Sequence, residues 1–175
     1  MGKIVLATII ISGSAKWLLK VGGNKEKWYG SDRIFMYVMT VFGAMTVNYS
    51  EQCTEYGWVV SNLRLLAGCL LAGGLLSAAY MDRRNCWVYN YVWWWCLPWT
   101  GILLGLPVSE AYMEDGVCRI TDRFSIQQAA AMALFVLLQQ ILFAQMYGRA
   151  DCHAFSVCAL AGCAWQGNLL WFLIH

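Results

Sequence analysis

The chain has 175 residues, 60% of them hydrophobic and only 13% charged, whereas soluble domains carry about 45–50% apolar and about 25% charged residues. One domain of this length has too little interior to hide such an excess of apolar surface. A net charge of +2 gives no basis for nucleic-acid binding, and ten Trp with only two Pro, without alternating short strands, disfavour a β-barrel, so the expectation is an all-α, polytopic transmembrane helical bundle.

Six apolar runs follow in chain order. Ile4 to Val21 is interrupted by Lys16 and Lys20, and Ile34 to Val47 is short. Either the first run crosses, or it serves as an uncleaved signal-anchor or interfacial helix. Leu65 to Met81, Trp87 to Leu106, Phe124 to Tyr147 and Phe155 to Ile174 are long and nearly free of charge. About six spans in a single membrane domain are therefore expected. Small residues recur at spacing four, as in Gly68 with Ala72, Gly73 with Ser77, and Ala154 with Cys158 and Gly162. That spacing lets helix backbones approach closely and reads as bundle packing. Arg64, at the start of the third run, reads either as an intramembrane ion-pair partner or, the favoured reading, as a residue at the outer edge of its span with a head that reaches back to the interface.

Cations set the orientation. Lys16, Lys20, Lys25, Lys27 and Arg33 lie around the first connection, Arg83 and Arg84 follow the third run, and Arg149 follows the fifth. These three connections are expected in the cytoplasm, with six crossings and the N-terminus outside. The acid-richer connections, carrying Glu51 and Glu55, and Glu110, Glu114, Asp115 and Asp122, are expected on the other side. The eight Cys form no Cys-x-x-Cys pair, so neither a zinc ribbon nor a redox motif is supported. Most sit in apolar runs as small hydrophobes. Cys53 and Cys118 fall in external connections, where a disulfide is open.

Two acids stand directly against apolar runs on the expected cytoplasmic side. Asp82 closes the third and Asp151 opens the sixth. Two crossings separate them, so the topology returns both to one side at one depth. Adjacent carboxylates share a proton because both cannot ionise cheaply. One then serves as base towards water and the other as acid towards a carbonyl. The plainer readings are a juxtamembrane ion pair of Asp82 with Arg83 or Arg84, and a helix N-cap at Asp151.

Motifs around these acids add to that geometry. Asp82-Arg-Arg-Asn-Cys-Trp-Val-Tyr-Asn90 resembles the first motif of type IV prepilin peptidases, in which an Asp at a helix end is followed eight residues on by the Asn of an Ile-Pro-Asn triplet. Gly148-Arg-Ala-Asp151-Cys-His153 resembles their second motif, Gly-x-Gly-Asp-x-Lys. The resemblance covers about Leu65 to Gly167. It implies an intramembrane aspartic endopeptidase of a bacterial plasma membrane. Such an enzyme removes the basic leader of prepilins or pseudopilins at the cytoplasmic membrane face, with Asp82 and Asp151 as the catalytic pair and no metal or cofactor. Gly148, Ala150, Asn90 and His153 would be motif or substrate-binding positions. The chain departs from the pattern at three points, with Tyr89 for Pro, Ala150 for the second Gly, which restricts φ, and His153 for Lys. The paired Cys-x-x-Cys domain of larger family members is missing, so no methyltransferase activity is expected. A catalytically degenerate relative that assembles with membrane partners is the alternative. A small transporter with the acids as a proton site comes third.

Two further features concern the spans. Gln127, Gln128, Gln139, Gln140 and Gln145 line the fifth run and are expected to hydrogen-bond between helices. Trp93, Trp94, Trp95 and Trp99 cluster within the fourth and are expected to pack or to face lipid.

Overall fold

The computed structural model describes residues 2–22, 30–52, 58–115, 126–143 and 148–166. Every regular element among them is helical: α1 (Gly2–Val21), α2 (Gly30–Gln52), α3 (Trp58–Asn85), α4 (Asn90–Asp115), α5 (Ile126–Leu138) with a π-helical continuation Gln139–Phe143, and α6 (Arg149–Gln166). The first run is thus one continuous helix through Lys16, and the second is longer than its apolar stretch. Among the described residues, two helical stretches, Gly2–Val21 and Val59–Arg84, are long and apolar enough to cross a membrane. Cys53, Cys118, Gln145 and the last residues of the sixth apolar run lie outside the described residues.

Hydroxyls inside these helices are satisfied locally. Thr8 Oγ1 donates to the Ile4 carbonyl at 2.8 Å, Ser14 Oγ to Ile10 at 2.9 Å, Thr46 Oγ1 to Phe42 at 2.9 Å and Ser77 Oγ to Gly74 at 2.7 Å. Bonding back one turn lets a polar side chain sit in an apolar helix without an external partner.

The chain divides into two compact units, Met1–Trp99 and Thr100–His175. In the first, α3 is the hub, packing on both α1 and α2 and also meeting the start of α4. Its buried positions Leu65, Ala67, Cys69, Leu71, Leu76, Ala78 and Met81 lie all round its axis, which is the pattern of a helix enclosed by neighbours. Two adjacent glycines serve two different neighbours. A Cβ on Gly73 would strike Ser14 Oγ of α1 and stand 3.1 Å from the Ile11 carbonyl, whereas one on Gly74 would meet Cys96 Sγ at 2.6 Å and Trp95 Cδ1 at 3.0 Å, both on α4. Trp95 uses the space left at Gly74. Its indole N–H donates to the Leu70 carbonyl at 3.2 Å, and its ring centroid lies 5.2 Å from Trp17 and 5.7 Å from Trp99. The tryptophan cluster therefore splits by role: Trp95 joins α1, α3 and α4, Trp93 is buried, and Trp94 is 74% exposed. Arg64 is buried at 3% exposure and so does not reach out to an interface as its place in the sequence suggests.

In the second unit, Met132 of α5 and Ala159 of α6 form a small core, with Leu104, Phe135 and Leu160 packed against it.

Candidate functional site

Asp82 lies exposed in the last turn of α3. The helix ends because Cys86 adopts φ 51°, the left-handed conformation, while its N–H still closes on the Asp82 carbonyl at 2.8 Å. The two cations beside Asp82 are engaged elsewhere. Arg83 stacks over the Phe35 ring at 4.7 Å, and Arg84 donates to the Tyr80 hydroxyl at 2.9 Å. Among the described residues of its unit, the Asp82 carboxylate forms no ion pair or hydrogen bond, so the juxtamembrane ion pair is not what holds it. Asn90 is exposed and opens α4. The next turn anchors that helix: Tyr91 donates its hydroxyl hydrogen to the Leu18 carbonyl of α1 at 3.0 Å. Gly22, whose N–H bonds the same carbonyl at 3.1 Å, leaves room for the phenol. α1, α3 and α4 thus position the segment from Asp82 to Asn90.

The second motif lies in the second unit. Gly148 has φ 88°, a conformation open to glycine, and its carbonyl accepts the Cys152 N–H at 3.3 Å as α6 begins. Asp151 is exposed in the first turn of α6, beyond the capping position, where an acid interacts favourably with the helix dipole. Its carboxylate also has no ion pair or hydrogen bond among the described residues of its unit. Ala150 is inside the helix, so a left-handed backbone is needed at Gly148 and not at Ala150. The concern that a side chain at 150 restricts a loop does not arise.

His153 follows one turn in, half-buried and ahead of the apolar run that starts at Phe155. The Gln140 side-chain nitrogen lies 3.1 Å from His153 Nδ1 and 3.5 Å from Ser156 Oγ, while Ser156 donates to the Cys152 carbonyl at 2.8 Å. With the amide oriented as assigned, Gln140 donates to Nδ1 and the ring proton sits on Nε2. Burial, and then the charge of Arg149, hold the imidazole below its usual pKa. Gln140 belongs to the π-helical segment, a helix irregularity that frequently accompanies functional sites. The interhelical role expected for the glutamines is met by Gln140, while the side chains of Gln127 and Gln128 lie outside those described. Sequence reasoning missed the Gln140–His153–Ser156 contact. The spacing of His153 and Ser156 on one helix face held a signal, but nothing in the sequence paired them with Gln140.

In comparisons with known proteins, the chain matches no family model, no curated protein and no solved structure.

Proposed function

We propose that the protein is a polytopic membrane protein and an intramembrane aspartic endopeptidase. It removes the basic leader of a prepilin-like substrate at the cytoplasmic membrane face. The membrane part is supported by the two helices of spanning length and by the outward faces. On α1, Val5, Leu6 and Ile9 are exposed; on α2, Ile34, Val38 and Phe42; on α5 and its continuation, Leu134, Leu137, Ile141 and Leu142. Apolar surface on this scale marks contact with lipid or partner helices.

The observation that carries the peptidase part is the state of the two aspartates. Each stands exposed at the end of an apolar helix, Asp82 closing α3 and Asp151 opening α6, inside the two motif-like segments. In the proposed reaction the ionised member takes a proton from a water molecule, whose oxygen attacks the scissile carbonyl carbon. The protonated member donates to the carbonyl oxygen. The tetrahedral intermediate then collapses, the C–N bond breaks, the leaving amine takes a proton from the carboxyl that received one from water, and the other carboxylate takes back a proton from a hydroxyl of the intermediate as the new carboxyl group forms.

Co-expression with a prepilin-like substrate, read by the mobility shift on leader removal, tests this. General acid–base groups contribute about 10²–10⁴-fold, so Asp82→Asn and Asp151→Asn should each bring cleavage to background while membrane insertion stays normal. Cleavage at the wild-type rate in either variant rules the reading out.

One observation favours a second reading, a non-catalytic relative that assembles with membrane partners. His153 occupies the place of the motif Lys and is engaged with Gln140. That reading expects both Asp→Asn variants to retain function, with bulky substitution at Gly73 abolishing it.

A further inference from the structure

Away from both aspartates, a cavity of about 180 Å³ opens between α1 and α2, lined by Ser12, Lys16, Arg33, Met36, Tyr37 and Thr40. The helices run antiparallel here, since a Cβ on Gly43 of α2 would lie 3.6 Å from Ile11 of α1, one turn beyond the cavity. Ser12 and Lys16 are four residues apart, and Arg33, Tyr37 and Thr40 follow at helical spacing, so each helix gives one face.

The donors and acceptors here are unevenly used. Ser12 and Thr40 spend their hydroxyl hydrogens on the Ile9 and Met36 carbonyls, at 3.3 and 2.6 Å. Among the described residues, Lys16 and Arg33 form no ion pair, and the Tyr37 hydroxyl has no hydrogen-bond partner. Two cationic heads and a phenol hydrogen therefore line a cavity that has no acid in its wall. Such a set suits an anion with several acceptor oxygens. The rims point to the rest of the ligand: at helical spacing, Val5 and Ile9 continue the Ser12–Lys16 face of α1, and Val41 and Met45 continue the line of Tyr37 on α2, all four exposed.

We infer that the α1–α2 groove binds the phosphodiester headgroup of an anionic phospholipid. Lys16 and Arg33 hold the phosphate, Tyr37 donates to it, and the acyl chains lie along the apolar rims. This inference requires the chain to sit in a bilayer but is independent of the peptidase reading, because none of the lining residues belongs to either motif. A free phosphate shares the headgroup's charge and lacks its chains, and apolar rims beside the cations would be idle for it.

The test uses the full chain purified in a neutral detergent, with retained lipid read by native mass spectrometry. Titrants are phosphatidylglycerol, phosphatidylcholine and inorganic phosphate. Each cation near an anionic headgroup contributes about fivefold in affinity, or about 25-fold for a pair. Wild type should therefore retain phosphatidylglycerol at least tenfold better than phosphatidylcholine. Lys16→Gln with Arg33→Gln should lose that preference. The double variant Lys3→Gln with Arg149→Gln, of equal net charge, should keep it. Lys16→Arg with Arg33→Lys preserves both charges and should bind as wild type does, which separates charge from folding. Equal retention of the two lipids by wild type overturns the inference even if the Gln variant fails to fold. Displacement of phosphatidylglycerol by millimolar phosphate also overturns it, in favour of a free-anion site.

Discussion

At the scale of single residues, backbone conformation and titration give the sharpest consequences. Cys86 holds a left-handed φ of 51°, which costs an L-residue about 1–2 kcal/mol. Cys86→Gly should raise stability by up to about 1 kcal/mol, since glycine is the usual residue at such a helix end. Thermal unfolding in detergent measures it, and a lower Tm would contradict the assigned helix end. His153 carries a pH dependence. Its pKa in the fold lies below the ordinary value of 6.5, through burial first and Arg149 second. The fold therefore favours the neutral ring. That contribution is complete above pH 6.5 and is lost as the pH falls from there through the depressed value, because the unfolded chain takes up the proton first. The Tm of wild type should drop over that window more steeply than that of His153→Gln. Parallel profiles would show that the ring does not titrate as its surroundings imply.

At the scale of elements, α3 depends on close approach at adjacent positions. Gly73→Leu should destabilise the first unit by about 1–3 kcal/mol or more through overpacking, since Ser14 and the Ile11 carbonyl already occupy the space. Gly13→Ala, where nothing lies within 4 Å, should be neutral or stabilising. Unfolding of both variants in one detergent makes the comparison, and equal Tm values would mean that α1 and α3 do not meet as described. The Gly73–Ser77 spacing was legible in the sequence as packing, because a small residue leaves few other uses in an apolar helix. Which neighbour each glycine admits was not. Gly73 and Gly74 are consecutive, and only the surrounding helices assign one to α1 and the other to α4.

At the scale of the whole molecule, the proposed polytopic reading, with six crossings oriented by Lys and Arg, can be tested directly. On that reading, alkaline phosphatase fused after residue 55 or 115 should be active, and fused after residue 85 or 148 inactive, because cation-rich connections are retained in the cytoplasm. The reverse pattern would place both aspartates on the wrong side for a leader peptidase. By itself the sequence determined helical class, the approximate limits of the elements and the helix-end positions of Asp82 and Asp151. These follow from composition, run length and local spacing, all properties of contiguous chain. Only the tertiary structure decided what each side chain meets: Arg83 on Phe35 rather than on Asp82, Arg64 buried rather than reaching outward, Gln140 on His153, and Lys16 beside Arg33. The reason is that these partners lie on different helices. An apolar helix presents similar side chains all round, so its periodicity carries little information about which face turns towards which neighbour.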